Sequence, residues 1–315
     1  MIAIFYRQDG KLSVSQSETE LSRMDRHQVL WIDLLTPSGE EKHMVDDFLG
    51  IEIQSRAQAE EIESSSRFSE TEEAIFANTN FLMPGPEDYS IEAVSFTFVD
   101  SCLTTLREVP LRSFTELQRR IVAMPAQYRN GYSVFASIMD QRVDLDADMI
   151  ELMGKEITQY SKRINQQEDI NENFLLDINQ LQENTMLVRE NIVDKQRLIS
   201  NMLKSDKYPM ELEPRFNVIL QDITSLINHA NFSFERLEYL QDTVVGLINL
   251  DQNKIMKIFT LVSVLLMPPT LVASFYGMNV ALPFTQKGWA WVAIIGFMLL
   301  SIGAVLYIFK KKKML

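Results

Sequence analysis

Between Asn253 and Ser274 the chain places Asn253, Met256, Thr260, Ser263, Met267, Thr270 and Ser274 at alternating steps of three and four. On a helix that spacing puts all seven on one face. The face offers an amide, hydroxyls and thioethers, but no carboxylate, histidine or cysteine. Most of it lies in an uncharged stretch, Ile258 to Gln286. Polar groups turned toward hydrocarbon go unsatisfied, so the stripe must face water or other helices. The spacing alone leaves both open, because small polar residues also pack membrane helices together. As a water-lined path, the face suits a cation that keeps its hydration shell. Mg²⁺ dehydrates reluctantly and usually retains several waters, and neutral oxygens and thioethers cannot replace that shell. A zinc path would call for His, Cys or carboxylate ligands, and the stripe has none.

The elements that must hold such a stripe follow from hydropathy. Ile258–Tyr276 and Trp289–Phe309 are uncharged runs, each long enough to cross a hydrocarbon core of about 30 Å. Lys254 and Lys257 precede the first; Lys310, Lys311, Lys312 and Lys313 follow the second. Positive flanks belong on the cytosolic side. Both termini are therefore expected inside, with the loop 277–288 outside and Trp289 and Trp291 in an outer interfacial belt. Two spans cannot enclose a pore, so a path implies a homo-oligomer with cyclic symmetry in the lipid bilayer.

Upstream, Phe216, Ile219, Ile223, Leu226, Ala230, Phe234, Leu237, Leu240, Val244 and Leu247 recur at helical steps, and no proline or glycine-rich stop separates them from the apolar tail. One continuous stalk helix is expected from about Phe216 into the membrane. Sixty such residues would span roughly 90 Å. A coiled-coil tether has the same pattern.

The chain has 315 residues and a formal net charge of −13. That acidity argues against nucleic acid, whose phosphates need Lys and Arg, and suits a body that concentrates cations. Cys102 is the only cysteine, and His27, His43 and His229 are scattered. There is no nucleophile elbow, P-loop or glycine-rich dinucleotide fingerprint, so neither an enzyme nor an organic cofactor is expected. The amino terminus reaches charge too soon for a signal peptide, which keeps the body in the cytosol.

The expected fold class is an α+β cytosolic domain, a small sheet covered by helices. A long helical hairpin, the stalk and two transmembrane helices follow. Strand signals fall at Ile2–Tyr6, Val29–Leu34, Ala74–Met83, Ala93–Val99 and Leu103–Arg107. Ser38 and Glu41 form a capping box opening a helix to about Leu49. Arg56–Ser64 has a second helical composition. From about Tyr132, Ile138, Leu145, Met149, Leu152, Ile157, Tyr160 and Ile164 recur helically. After a polar break at Asn165–Asn173, Ile178, Leu181, Val188, Ile192, Ile199 and Met202 repeat the pattern. The breaks divide the chain into an α+β domain (1–130), a hairpin (131–213), a stalk (214–257), a pore-lining span (258–276), an outer loop (277–288), a second span (289–309) and a basic cytosolic tail (310–315).

Tyr276-Gly277-Met278-Asn279, set directly after the first of two carboxy-terminal spans, resembles the signature of the CorA family of magnesium channels. Gln252-Asn253, Lys257-Ile258-Phe259, Ser263-Val264 and the run Pro268 to Ser274 extend the resemblance. Trp31-Ile32-Asp33-Leu34, Ile62-Glu63 with Arg67, and Leu103 to Glu108 carry it more loosely into the body. The resemblance implies a homopentamer in a bacterial inner membrane that admits Mg²⁺, with Co²⁺ and Ni²⁺ as surrogates. It implies that Gly277, Met278 and Asn279 form the outer ring that captures the hydrated ion, through backbone carbonyls and the Asn279 amide. Asn253 then forms the inner polar ring and Thr270 an intermediate one. Met256 and Phe259, or Thr260 by the stripe, form a hydrophobic gate. Mg²⁺ between cytosolic domains closes the pore, and Asp222 at the upper stalk is the candidate regulatory ligand. The loop departs from the family: Val280 to Lys287 holds no acid and one base, which weakens the attraction of cations to the entrance. A zinc or other transition-metal transporter on the same fold, and a non-conducting membrane-anchored sensor or scaffold, are the competing readings.

Overall fold

A computed structural model describes residues 1–8, 10–55, 58, 67–85, 89–166, 170–278 and 287–312. The chain divides into two compact units, Met1–Gln241 and Asp242–Leu315.

The first unit is built on a seven-stranded sheet of order β2-β1-β3-β7-β6-β5-β4. Its strands are β1 (Ile2–Gln8), β2 (Lys11–Ser15), β3 (Val29–Leu35), β4 (Phe68–Glu70), β5 (Ala74–Pro84), β6 (Tyr89–Val99) and β7 (Cys102–Arg107). Every pairing is antiparallel except β3 with β7, where Asp33 stands opposite Thr105. A parallel pair needs a crossover. Helix α1 (Gly39–Leu49) opens that crossover. Its start is written locally: Ser38 Oγ accepts from the Glu41 amide, and the Glu41 carboxylate accepts from the Ser38 amide. Its end is Gly50 at φ 72°, the left-handed conformation that glycine adopts without steric cost.

All five expected strands are present, each within a few residues of the expected ends. Strands β2 and β4 are additional, both short and at the two edges of the sheet. Helix α2 (Arg112–Ala123) is also additional; it buries Phe114, Leu117 and Ile121, a stripe at steps of three and four between charged residues. The expected helix over Arg56–Ser64 lies outside the described residues.

The core holds Phe5 stacked on Trp31 at 4.8 Å, with Phe114 of α2 tilted against Trp31 and Phe81. Phe135, on helix α3 (Gly131–Gln166), meets Phe96 and Phe98 of β6 edge-on. The start of α3 lies very close to the β6–β7 turn. A Cβ built on Gly131 would stand 2.5 Å from the Leu103 nitrogen and 2.8 Å from the Ser101 oxygen. Gly131 thus donates its amide to Ser101 at 2.7 Å where no other residue fits.

Helices α3 and α4 (Glu172–Met202) form the antiparallel hairpin. Met149, Met153, Ile157 and Ile164 are buried on α3, with Phe174, Ile178, Val188, Ile192 and Ile199 on α4. Leu152, expected on the inner stripe, is 50% exposed. The 3.6-residue period passes from Met149 to Met153, a four-residue step that skips it.

Helix α5 runs unbroken from Glu213 to Tyr276, through Pro268 and Pro269. Within the first unit it buries Phe216, Ile219, Ile223, Ala230, Leu237 and Leu240, the three-and-four stripe read from the sequence. The second unit contains the rest of α5 from Asp242 and helix α6 (Ala290–Lys311). These two helices are long and apolar enough to cross a membrane by length and composition.

Candidate ion pathway

The stripe lies on α5. At 100° per residue its seven members fall within an arc of about 100°. All seven are exposed in the single chain, and so is Phe259, just beyond one edge of the arc. Met256 and Phe259 are 62% and 64% exposed, and Met267 is 71% exposed. Apolar side chains this open on a long apolar helix need a non-aqueous or oligomeric surrounding.

Two hydroxyls of the stripe are not free rotors. Thr260 Oγ1 donates to the Met256 carbonyl at 2.8 Å, and Thr270 Oγ1 donates to the Leu266 carbonyl at 2.7 Å. With the protons committed to the helix backbone, each oxygen presents only lone pairs to the outside. Waters bound to a cation are polarised and donate outward. These two levels of the helix therefore match a hydrated cation without a formal charge.

Pro268 and Pro269 change the same region. Neither has an amide proton, so the carbonyls of Val264 and Leu265 lose their usual donors four residues ahead. Backbone polarity of this kind is tolerated at membrane depth only beside protein partners or water. Residues 252–278, all described, contain no His, Cys, Asp or Glu.

Helix α5 ends at the expected outer signature. The Gly277 amide donates to the Ala273 carbonyl at 2.9 Å, and a Cβ on Gly277 would meet that oxygen at 3.1 Å. Met278 is 53% exposed. Asn279 and the loop through Gln286 lie outside the described residues. Between Leu271–Met278 and Trp289–Phe297 is an apolar cavity of about 760 Å³, walled by Phe275, Tyr276, Trp289 and Phe297 among others. Lys287 sits 5.8 Å over the Trp289 ring. On α6 the only charged residues are Lys310 and Lys311 in its last turn.

Toward the other end, the face carried back eleven residues, three turns, from Asn253 reaches Asp242, which is exposed. The sequence reading stopped at Asn253, although the same periodicity pointed to this carboxylate.

Asp222 is exposed on the first-unit part of α5. It belongs to an acidic surface shared with α3. Asp140, Asp144 and Asp148 stand at four-residue steps there. Burial and then the charges of Asp140, Asp148 and Asp222 raise the Asp144 carboxyl above its ordinary pKa, while Arg120 opposes them. Arg215 partly offsets the group through Asp140 at 3.3 Å. Among the described residues no three His, Cys, Asp or Glu side chains come together to hold a metal ion.

Comparison with known proteins places this arrangement. A family model described as "CorA-like Mg2+ transporter protein" matches residues 26–311. A protein named Magnesium transport protein CorA, from Wolinella succinogenes, is 34% identical over 324 aligned residues, covering 100% of both chains. The protein of that name from Campylobacter jejuni is 33% identical over 296, covering 90% of each. The complete structure of the CorA magnesium transporter from Methanocaldococcus jannaschii superposes with a TM-score of 0.80 at 16% identity, covering 98% of this chain and 97% of that one. The ZntB cytoplasmic domain from Vibrio parahaemolyticus superposes at 0.59 and 14% identity, covering 79% and 98%. At these identities the two structures speak to the fold alone.

Proposed function

Because the chain belongs to the CorA-like Mg²⁺ transporter family, we propose that this membrane-embedded divalent-cation transporter is a homo-oligomeric channel, most simply a pentamer, that passes hydrated Mg²⁺ along the stripe face of α5. The observation that carries the reading is the acceptor-only presentation of Thr260 and Thr270 on a face that has no carboxylate between residues 252 and 278. Gly277, Met278 and Asn279 form the outer ring that receives the ion. Thr270, Met267, Ser263 and Thr260 line the path, and Asn253 and Asp242 form the inner mouth. Met256 and Phe259 form the gate, since bulky apolar rings close a path by dewetting. Co²⁺ and Ni²⁺ are surrogates of similar hydration. Both chain ends lie in the cytosol of a bacterium and the pore in its inner membrane, in keeping with Lys254, Lys257 and the lysines from Lys310 onward.

Intracellular Mg²⁺ closes the channel by neutralising the acidic surface of Asp140, Asp144, Asp148 and Asp222 across neighbouring subunits. The repulsion from Asp140, Asp148 and Asp222, which adds to burial in raising the Asp144 carboxyl, supports this. A cation placed there would relieve it.

A zinc path would need directly coordinating His nitrogen, Cys sulfur or carboxylate donors, which residues 252–278 do not supply. The deciding experiment is ion flux into liposomes holding the purified protein, with Mg²⁺, Co²⁺, Ni²⁺ and Zn²⁺ compared. Mg²⁺ entry with little Zn²⁺ entry is expected. Zn²⁺ entry alone would assign it to zinc transport, and no flux of any ion would leave a membrane-anchored scaffold.

A further inference from the structure

A groove in the first unit runs between the β5–β6 pair and helix α4. One cavity of about 530 Å³ adjoins another of about 500 Å³, and the two share Arg67, Asp194 and Arg197 in their walls. Arg189 lines the first and Lys204 the second. Among the described residues, the carboxylates in these walls are Glu190 and Asp194. Asp194 is already shared, by a close contact with Arg67 and by Arg197 at 3.9 Å. Arg189 Nε donates at 2.6 Å to the Asn231 amide oxygen, a neutral partner. Among the described lining residues cations therefore outnumber acids, in a chain whose net charge is −13.

Behind this wall lies a second excess of positive charge. Lys195 is 0% exposed and Arg142 and Asp146 are nearly so. Asp146 is paired with both cations, with Lys195 Nζ at 2.8 Å and Arg142 Nη2 at 3.0 Å. Two cations thus share one buried carboxylate. Their remaining bonds go to neutral oxygens of residues that themselves line the groove. Lys195 donates to the Asn191 amide oxygen, and Arg142 donates to the Leu82 carbonyl. Burial, ahead of every other cause, pushes the Lys195 ammonium down to about 8. A buried charge without its counter-charge is costly.

We propose that this groove is an anion site for a multiply charged, phosphate-bearing small molecule of the cytosol, independent of the ion pathway. Guanidinium groups bind phosphate oxygens in pairs, and Arg67, just before β4, faces the same opening as Arg189 and Arg197 of α4. The volume exceeds what a halide needs and suits a group from pyrophosphate up to a nucleotide. The anion settles against the Asn191 and Leu82 wall, where the field of Lys195 and Arg142 adds to that of the rim.

The test uses the full-length protein in detergent, free of Mg²⁺ and with a chelator, titrated with inorganic phosphate, pyrophosphate and ATP. Saturable binding of pyrophosphate or ATP is expected, with a raised melting temperature. Arg197→Gln should weaken it at least ten-fold. Arg197 is 57% exposed, so this variant keeps its fold, and Arg197→Lys should recover part of the affinity. Arg67→Gln should weaken binding likewise. ATP binding ten-fold tighter than pyrophosphate would assign the site to a nucleotide; equal affinities would assign it to the phosphates alone. The proposal is overturned if none of the three binds, if chloride at equal ionic strength gives the same shift, or if both Gln variants bind as the parent does.

Discussion

Arg107 Nη2 donates to Asp33 Oδ2 at 2.8 Å across neighbouring parallel strands, with both side chains at most 5% exposed. The carboxylate is fully occupied. Thr105 Oγ1 and Arg107 Nε donate to its other oxygen, and Gln118 of α2 donates to Oδ2. Trp31 Nε1 donates in turn to Thr105, and the Arg107 guanidinium lies 4.5 Å from the Phe114 ring centre. The residues of the WIDL and LTTLRE runs thus make one buried network at the centre of the sheet.

Removing either partner leaves an uncompensated buried charge, which costs about 3–5 kcal/mol. Asp33→Ala and Arg107→Met should each destabilise the first unit by that amount. Asp33→Leu combined with Arg107→Met should cost clearly less than the two single losses added. Trp31 is the only tryptophan of that unit, so its fluorescence during urea unfolding gives the measurement. Additive losses would mean that the pair does not act as one group.

Gly131 should not tolerate a side chain. The contacts its Cβ would make are with backbone and cannot yield by a rotamer change. Gly131→Ala should destabilise the first unit by about 1–3 kcal/mol, in the range of overpacking, with ion flux per folded oligomer unchanged. An unaltered melting temperature would show that the turn at Ser101 gives way freely.

Asn279→Ala should abolish Mg²⁺ uptake in liposomes while the oligomer stays intact by size-exclusion chromatography. Parent-like flux would remove the Asn279 amide from ion capture.

Met256→Ser should raise flux and weaken closure by internal Mg²⁺, because a polar ring at the gate stays wet. If flux at high internal Mg²⁺ does not change, the closure lies at another level of α5.

Mg²⁺ should protect the first unit from limited proteolysis, and Asp222→Asn should reduce that protection. The pH dependence has a definite sign. The Asp144 carboxyl is raised in the folded protein, so protonation favours the fold. That contribution is complete below the unfolded value and is lost as pH rises through the raised one. The stabilisation by Mg²⁺, read as a shift in melting temperature, should therefore be large near pH 7.5. It should shrink as the pH falls toward the range where Asp144 takes up its proton. A shift that does not vary with pH would detach the cation from this acidic surface.

Much of this was legible in the sequence because the signals are local. The β-branched and aromatic runs marked β1, β3, β5, β6 and β7, the Ser38–Glu41 box marked the start of α1, and the uncharged runs marked the membrane helices. Strands β2 and β4 escaped because edge strands of five and three residues carry too little alternation. Helix α2 escaped because its apolar stripe is thin among arginines. The Asp33–Arg107 network joins residues 74 positions apart, and no periodicity encodes such a pairing. On the candidate pathway, periodicity gave the face but not the direction of the Thr260 and Thr270 protons, which depends on carbonyls one turn back.

That direction has a consequence for what the helix refuses. A chloride or phosphate ion needs donors. At Thr260 and Thr270 the donor of each hydroxyl is already turned into the helix. A pore lined at these levels by every subunit would reject anions through the polarity of its hydrogen bonds. It would need no ring of fixed negative charge, and so no tight grip on a divalent cation that has to leave again.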